Sequence, residues 1–249
     1  MGRPPKANTT ESMNEITQDL LDILNTAGNG TSAYLQGEHS EHTSGIRIPY
    51  LAFQWLVGGV DILPIQRFVG ISGLPKSFKS TLNIEFGNWT LMQGGFHIAI
   101  DNEGKTSASM LSAMSRMSPE LLAAATARRP FKPTESIEEW QETIIKLIKH
   151  ARKTGNKPKG KRIPIYVSVD SLNGKTSKST QEKIAKEGSA EDRAFPVDAM
   201  KISRFLKSIS LIGTTMNVGY VQHLMQDLGA APGYGGPSYK ESGAVMVSY

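Results

Sequence analysis

The stretch "SGLPKSFKST", Ser72 to Thr81, constrains this chain more than any other. It follows a short apolar run, "RFVGIS" (Arg67–Ser72), that reads as a strand. It precedes "STLNIEFGNWTLMQGG", which reads as an amphipathic helix stopped by Gly94 and Gly95. A strand, a turn rich in small residues and a helix opening on Lys-Ser is the layout of a phosphate-binding loop. There, successive backbone N–H groups curl around an anion and the helix N-terminus points at it. The usual pattern is G-x-x-x-x-G-K-S/T. Gly73 opens it here and Lys79-Ser80 closes it, but Phe78 stands where the second glycine belongs. The loop tolerates a phenylalanine if the local φ/ψ suits a non-glycine residue and the ring turns away into a pocket. The plain alternative is a chance strand–loop–helix that carries a lysine.

From Ile46 onward strands and helices alternate. "FHIAID" (Phe96–Asp101) reads as a second strand. "SMLSAMSRM" puts Met110, Met114 and Met117 on one helical face, expected to pack in the core. In "SIEEWQETIIKLIKHARKTGN" the residues Ile137, Trp140, Ile144, Leu147, Ile148 and Ala151 follow a helical period. Ser136 and Glu139 form a capping box, and Gly155 is placed to stop the helix. "IPIYVSVDS" is a β-branched run typical of a buried strand. "VDAMKISRFLKSISLIG" is a helix with Ala199, Ile202, Phe205, Leu206 and Ile209 on one face. "TMNVGYVQH" and "AVMVSY" are further strands. This alternation predicts an α/β fold with a mostly parallel central sheet flanked by helices. Residues 1–45 form a separate arm, a helix over Met13–Leu24 with Ile16, Leu20, Leu21 and Leu24 on one face, followed by a flexible linker; the core is 46–249. "GRPPK" near the start is either a short minor-groove DNA motif or a polar tail.

The 249 residues suffice for one large domain. No apolar run approaches a membrane span, and the polar N-terminus lacks an apolar signal region. The chain has no cysteine, which excludes disulfides and thiolate metal sites and fits a reducing cytoplasm. The few histidines show no metal-ligand spacing, and His97 inside a strand reads as a packed core residue. The net charge of +5 suits a polyanionic partner or a plain basic surface.

A nucleotide-hydrolysing site also needs carboxylates and a polar sensor, and an open α/β sheet places them at the carboxyl ends of its strands. "FHIAIDNEG" supplies Asp101 and Glu103, "IPIYVSVDS" supplies Asp170, and "MNVGYVQH" ends with Gln222. Taken in this order, the motifs resemble the RecA-like P-loop ATPase core of the RecA-family recombinases from about Ile46 to Tyr249. The loop "GLPKSFKS" looks most like that of the phage UvsX-type recombinases, which also carry a phenylalanine before the loop lysine. The resemblance implies an ATP site lined by Gly73, Leu74, Pro75, Lys76, Ser77, Phe78, Lys79, Ser80 and Thr81. Lys79 would meet the phosphates, Ser80 and Asp170 would hold Mg2+, Glu103 would act as general base and Gln222 as γ-phosphate sensor.

It also implies a DNA-dependent ATPase acting in DNA recombination and repair. Its partners would be single-stranded DNA, homologous duplex DNA and further copies of the chain in a helical filament or ring, with no membrane. The setting would be the cytoplasm of a bacterial or phage-infected cell. One DNA-binding loop would fall within "STQEKIAKEGSAEDRAFPVDAMK", with Lys183, Lys186, Arg193 and Lys201 as phosphate contacts. The second would be the glycine-rich "LMQDLGAAPGYGGPSYKESG", with Tyr234 and Tyr239 against bases. The family continues past the last strand, so the chain is expected to be a C-terminally truncated piece that binds nucleotide and hydrolyses it weakly. The basic run "KLIKHARKTGNKPKGKR" has two readings, phosphate contact or a solvated helix end. Two other readings of the whole remain: a RecA-fold helicase or helicase loader, and a non-hydrolysing, ATP-responsive single-stranded-DNA-binding module.

Overall fold

The computed structural model describes residues 45–56, 59, 61–115, 118–155, 163–187, 194–226 and 239–241. All belong to the unit Ser44–Tyr249. The expected helix Met13–Leu24 and the expected strand "AVMVSY" lie outside these residues. The elements run in chain order: β1 (Gly45–Arg47), α1 (Leu51–Leu56), β2 (Ile62–Pro64), β3 (Phe68–Gly73), α2 (Lys79–Met92), β4 (Phe96–Asp101), α3 (Ala108–Ser115) and α4 (Pro119–Arg128). Then come β5 (Phe131–Pro133), α5 (Ile137–Gly155), β6 (Ile165–Asp170), α6 (Lys178–Glu187), α7 (Ala194–Ser208), β7 (Met216–Gln226) and β8 (Tyr239–Glu241).

Five strands form a parallel sheet in the order β3-β7-β6-β4-β5, and β8 pairs antiparallel with the far end of β7. The chain leaves β3 at one edge, and α2 carries it past two strand positions to β4. β6 and β7 later fill the gap. All five parallel strands therefore end at the same edge. A separate antiparallel hairpin, β1–β2, pairs Gly45 with Pro64 and Arg47 with Ile62.

Side chains alternate along each strand, so the sheet has two apolar faces. On one, Ile100, Val167, Val169 and Val218 meet Ile137, Trp140, Ile144 and Ile148 of α5 and Ile202, Phe205 and Leu206 of α7. Trp140 and Phe205 make an edge-to-face contact with ring centroids 5.2 Å apart. The helical period read along α5 is thus the buried face. Its capping box closes differently from expectation. Ser136 Oγ accepts from Glu139 N at 3.3 Å, but Glu139 Oε2 accepts from Glu135 N, one residue before the cap. The other carboxylate oxygen of Glu139 is drawn to Lys132 Nζ at 2.8 Å.

On the opposite face lies α2, which is not amphipathic. Asn83, Ile84, Phe86, Gly87, Asn88, Trp89, Thr90 and Leu91 are all buried, because the helix packs against the sheet, α4 and β1 at once. Its polar residues are satisfied inside. Tyr166 Oη donates to Asn83 Oδ1 at 2.7 Å, Thr90 Oγ1 donates to Phe86 O at 2.8 Å, and Asn88 Oδ1 accepts from Arg129. A Cβ added at Gly219 would run into both the Tyr166 hydroxyl and Asn83, so this close approach requires glycine. His97 is buried as expected: its Nδ1 accepts from Arg129 Nε at 2.8 Å, and its Nε2 then donates to Ser168 Oγ at 2.7 Å. Burial, reinforced by the Arg129 charge, keeps the ring neutral. Met110 departs from expectation. It is 40% exposed, and Leu111 instead fills the contact with Ile84 and Ala99. The side chains of Met114 and Met117 lie outside the described residues.

Replacing Trp140 by alanine should cost about 3–5 kcal/mol, the usual range for a fully buried aromatic. Trp55→Ala, at a ring 78% exposed, should change stability by no more than about 0.5 kcal/mol. Urea unfolding of both variants checks the pair, and equal losses would contradict this assignment of the core.

Candidate functional site

The site is built where the parallel strands end. In the register Gly73 lies opposite His223, Ser72 opposite Gln222, and Asp101 opposite Asp170. The loop after β3 and the turns after β4 and β6 therefore share one edge of the sheet.

The loop between β3 and α2 is a tight turn whose backbone geometry suits an anion. Lys76 and Phe78 both take left-handed backbone, with φ of 64° and 59°. Alternation of this kind turns neighbouring N–H groups toward a common side, and within the described residues the N–H groups of Lys76, Ser77 and Phe78 meet no acceptor. Ser77 Oγ donates to Leu74 O at 2.7 Å. A Cβ at Gly73 would press on Ser77 Oγ at 2.8 Å and Lys79 Cδ at 3.3 Å, so any larger residue there would displace the side chains of the loop. Lys79 is only 6% exposed, and its ammonium donates to Leu74 O at 2.5 Å. Burial lowers its pKa although the Asp170 and Glu103 charges pull the other way.

Phe78 differs from what the sequence suggested. It occupies the N-cap of α2 in the backbone region that glycine favours, with no side-chain cap, and its ring is 80% exposed rather than seated in a pocket. A non-glycine residue in this region costs about 1–2 kcal/mol. The backbone thus keeps a glycine-type turn while the side chain points off the loop.

Beside the loop, Ser80 and Asp170 line the same small cavity. Burial raises the pKa of Asp170, and the neighbouring Glu103 and Asp101 charges add to this against the opposing pull of the Ser80 hydroxyl. Asp101 shapes its own turn. Its oxygens accept from Glu103 N at 3.0 Å, Gly104 N at 2.8 Å and Thr106 N at 2.8 Å. This turn carries Glu103 toward the edge. Glu103 Oε1 accepts from Ser171 Oγ at 2.6 Å and meets His223 Nε2 at 3.0 Å, while Oε2 pairs with Lys105 Nζ at 2.5 Å. Burial alone would raise its pKa, but the bonds from Lys105, Ser171 and His223 prevail and hold it at about 2. A small cavity lined by Ser80, Asn83, Asp101, Thr106 and Asp170 lies between the start of α2 and the strand ends.

The structure therefore brings together Lys79, Ser80, Asp170 and Glu103. Gln222 is buried in the middle of β7, which runs on to Gln226 instead of ending there. The neighbouring His223 is the residue that reaches Glu103. Neither it nor Lys105 was foreseen: His223 because adjacent strand residues point to opposite sides and the sequence gives no hint of which side faces the acid, Lys105 because it lies in the turn after β4, where no period applies.

The segment expected as a first mobile loop is largely two helices, α6 and α7. The buried Asp198 joins them: Oδ2 accepts from Ser177 N at 3.2 Å and Oδ1 from Thr180 Oγ1 at 3.1 Å. Lys183 and Lys186 are exposed on α6. Lys201 is held by Glu138 Oε1 at 3.0 Å and Ser179 Oγ at 3.1 Å. Arg193 and Tyr234 lie outside the described residues. Tyr239 opens β8 and pairs with Gln226, so the second glycine-rich segment is closed at its base by strand pairing.

No protein-family model matches the chain, and no curated protein matches it. Among the described residues no helix is long and apolar enough to cross a membrane.

Two outcomes follow from this geometry. Phe78→Gly should leave stability unchanged or raise it by up to about 1 kcal/mol, because relief of the left-handed strain exceeds the added freedom of the unfolded chain; a clear loss in urea unfolding would contradict it. Glu103 has its pKa depressed on folding from an unfolded value of about 4.3. Its contribution is complete above that value and is lost as pH falls toward about 2. Unfolding midpoints measured across this acid range should fall less steeply for Glu103→Gln than for the parent chain.

Proposed function

We propose that the protein is an ATP-dependent, single-stranded-DNA-binding recombinase with a RecA-like P-loop core. The observation that carries this reading is the convergence of Lys79, Ser80, Asp170 and Glu103 at one edge of a five-strand parallel sheet. The N–H groups of Lys76–Phe78 and the N-terminus of α2 suit the phosphates of ATP, and the buried Lys79 ammonium has an oxygen partner in Leu74 that a phosphate oxygen can replace. Ser80 and Asp170, which line the same cavity, would hold Mg2+, which would neutralise charge on the phosphates. Gly73, Leu74, Pro75, Lys76, Ser77, Phe78 and Thr81 complete the cradle.

Glu103 is ionised at neutral pH, and Ser171 and His223 fix its direction. It acts by accepting a hydrogen bond from the attacking water and orienting it. His223, in contact with Glu103 and one residue from Gln222, connects this acid to the end of β7 and so to the segment carrying Tyr234 and Tyr239. Single-stranded DNA would lie along that segment and the basic face of α6, with copies of the chain assembling along it in a filament or ring.

One observation favours a second reading. Glu103 is clamped by an ion pair and two further bonds and is too acidic to take a proton readily. A non-hydrolysing module that binds ATP and single-stranded DNA fits such a clamped acid.

ATP turnover with Mg2+, with and without single-stranded DNA, separates the two. The recombinase reading expects DNA-stimulated turnover. Lys79→Ala should abolish nucleotide binding. Glu103→Gln should keep binding and lower turnover about a hundredfold or more. Nucleotide and DNA binding with no turnover in the parent chain would decide for the module.

A further inference from the structure

The most concentrated charge in the sequence lies away from the candidate nucleotide site. Residues 146–162 hold eight Lys and Arg and no Asp or Glu. Without them the chain has 20 basic and 23 acidic residues, so the whole positive surplus resides in this run. Part of it is described. Lys149, Arg152 and Lys153 are exposed on the last turns of α5.

α5 and α7 pack on the same face of the sheet and both return from the carboxyl edge of the strands to the amino edge. Their last turns therefore arrive together, at the edge opposite the phosphate loop. Arg152 ties the two ends by donating to Ser210 O at 2.6 Å and Ile212 O at 3.2 Å, in the turn between α7 and β7. α7 adds Arg204 and Lys207, both exposed. The acids of the two helices sit at their other ends: Glu138, Glu139 and Glu142 early in α5, and Asp198 early in α7. Among the described residues the ion pairs engage Lys105, Lys132, Lys146, Lys201 and His223, so no carboxylate pairs with Lys149, Lys153, Arg204 or Lys207.

A helix C-terminus accounts for one or two cations on its own through the helix dipole. It does not account for two neighbouring ends that concentrate like charges with no acid between them, since such charges repel. We propose that this amino edge of the sheet is a second nucleic-acid surface, one that grips the phosphate backbone through Lys149, Lys153, Arg204 and Lys207. The ligand is nucleic acid rather than a lipid surface. The exposed apolar residues near this edge, Phe96, Ile163 and Ile212, come from three separate segments, whereas membrane binding uses one continuous amphipathic helix face. The inference does not depend on ATP turnover or on the recombinase reading.

The test is fluorescence anisotropy with a labelled oligonucleotide, single-stranded and duplex, without nucleotide and over a range of salt. The protein is the full chain and the variant K149E/K153E/K207E. Each phosphate contact adds about 0.9 to the salt slope, so the variant should lose about 2–3 from it and bind at least about tenfold more weakly at ~0.1 M salt. Urea unfolding of the triple variant confirms its fold; should it unfold, K149Q/K153Q/K207Q must show the same loss of slope. An unchanged slope and affinity overturns the proposal. So does binding to anionic vesicles that the oligonucleotide cannot displace.

Discussion

The hydrogen bond from Tyr166 to Asn83 is the fastening on which the site depends. Tyr166 stands on β6 and Asn83 on α2, one turn into the helix that begins at Lys79. Both are buried, and the bond crosses directly over Gly219 of β7. A polar pair left unmatched in such a place would cost about 1–3 kcal/mol, so helix and sheet are held in one relative position. That position places Lys79 and Ser80 beside Asp170, four residues along the same strand from Tyr166. Burial of α2 on nearly every side serves the same end, because a helix packed against the sheet, α4 and β1 cannot shift without disturbing them all.

With the helix fixed, the electrostatics of the edge follow from crowding. Asp101 and Asp170 are paired in register on adjacent strands, and Glu103 lies in the turn immediately beyond. Three carboxylates so close would repel one another. Each is handled differently. Asp101 spends its charge on three backbone N–H groups. Glu103 is surrounded by donors from three separate elements. Asp170 is left buried beside the other two, and that burial raises its pKa. Lys79 is buried beside them, its pKa lowered by desolvation against the pull of the Asp170 and Glu103 charges, and its ammonium is turned onto Leu74 O. A buried cation next to a buried acid at the strand ends is what singles this edge out as the candidate site.

Phe78 shows how a motif can change its residue and keep its geometry. The turn requires a left-handed residue before the lysine, and the chain supplies one at a cost in strain with the ring left in solvent. His223 shows the opposite case, a residue without a motif. It matters because the register of β7 against β3 and β6 brings it level with Gly73 and within reach of Glu103, and a parallel register is set by side-chain packing along the whole sheet rather than by local sequence.

Local periodicity determined much of this protein. The apolar runs of β3, β4, β6 and β7, the buried stripe of α5 and the Gly-Lys-Ser spacing of the loop after β3 are all short-range patterns, and a strand or helix declares itself through neighbours a few residues away. Composition likewise placed the charge surplus in residues 146–162. What tertiary structure alone decided was long-range. The strand order β3-β7-β6-β4-β5 puts β7 next to the loop strand; α2 became buried on most sides although its sequence suggested one wet face; Lys201 was taken up by Glu138; and Glu103 gained Lys105, Ser171 and His223. Each of these joins residues distant in the chain or depends on which of two adjacent side chains faces inward, and that is settled only when the faces of the sheet pack.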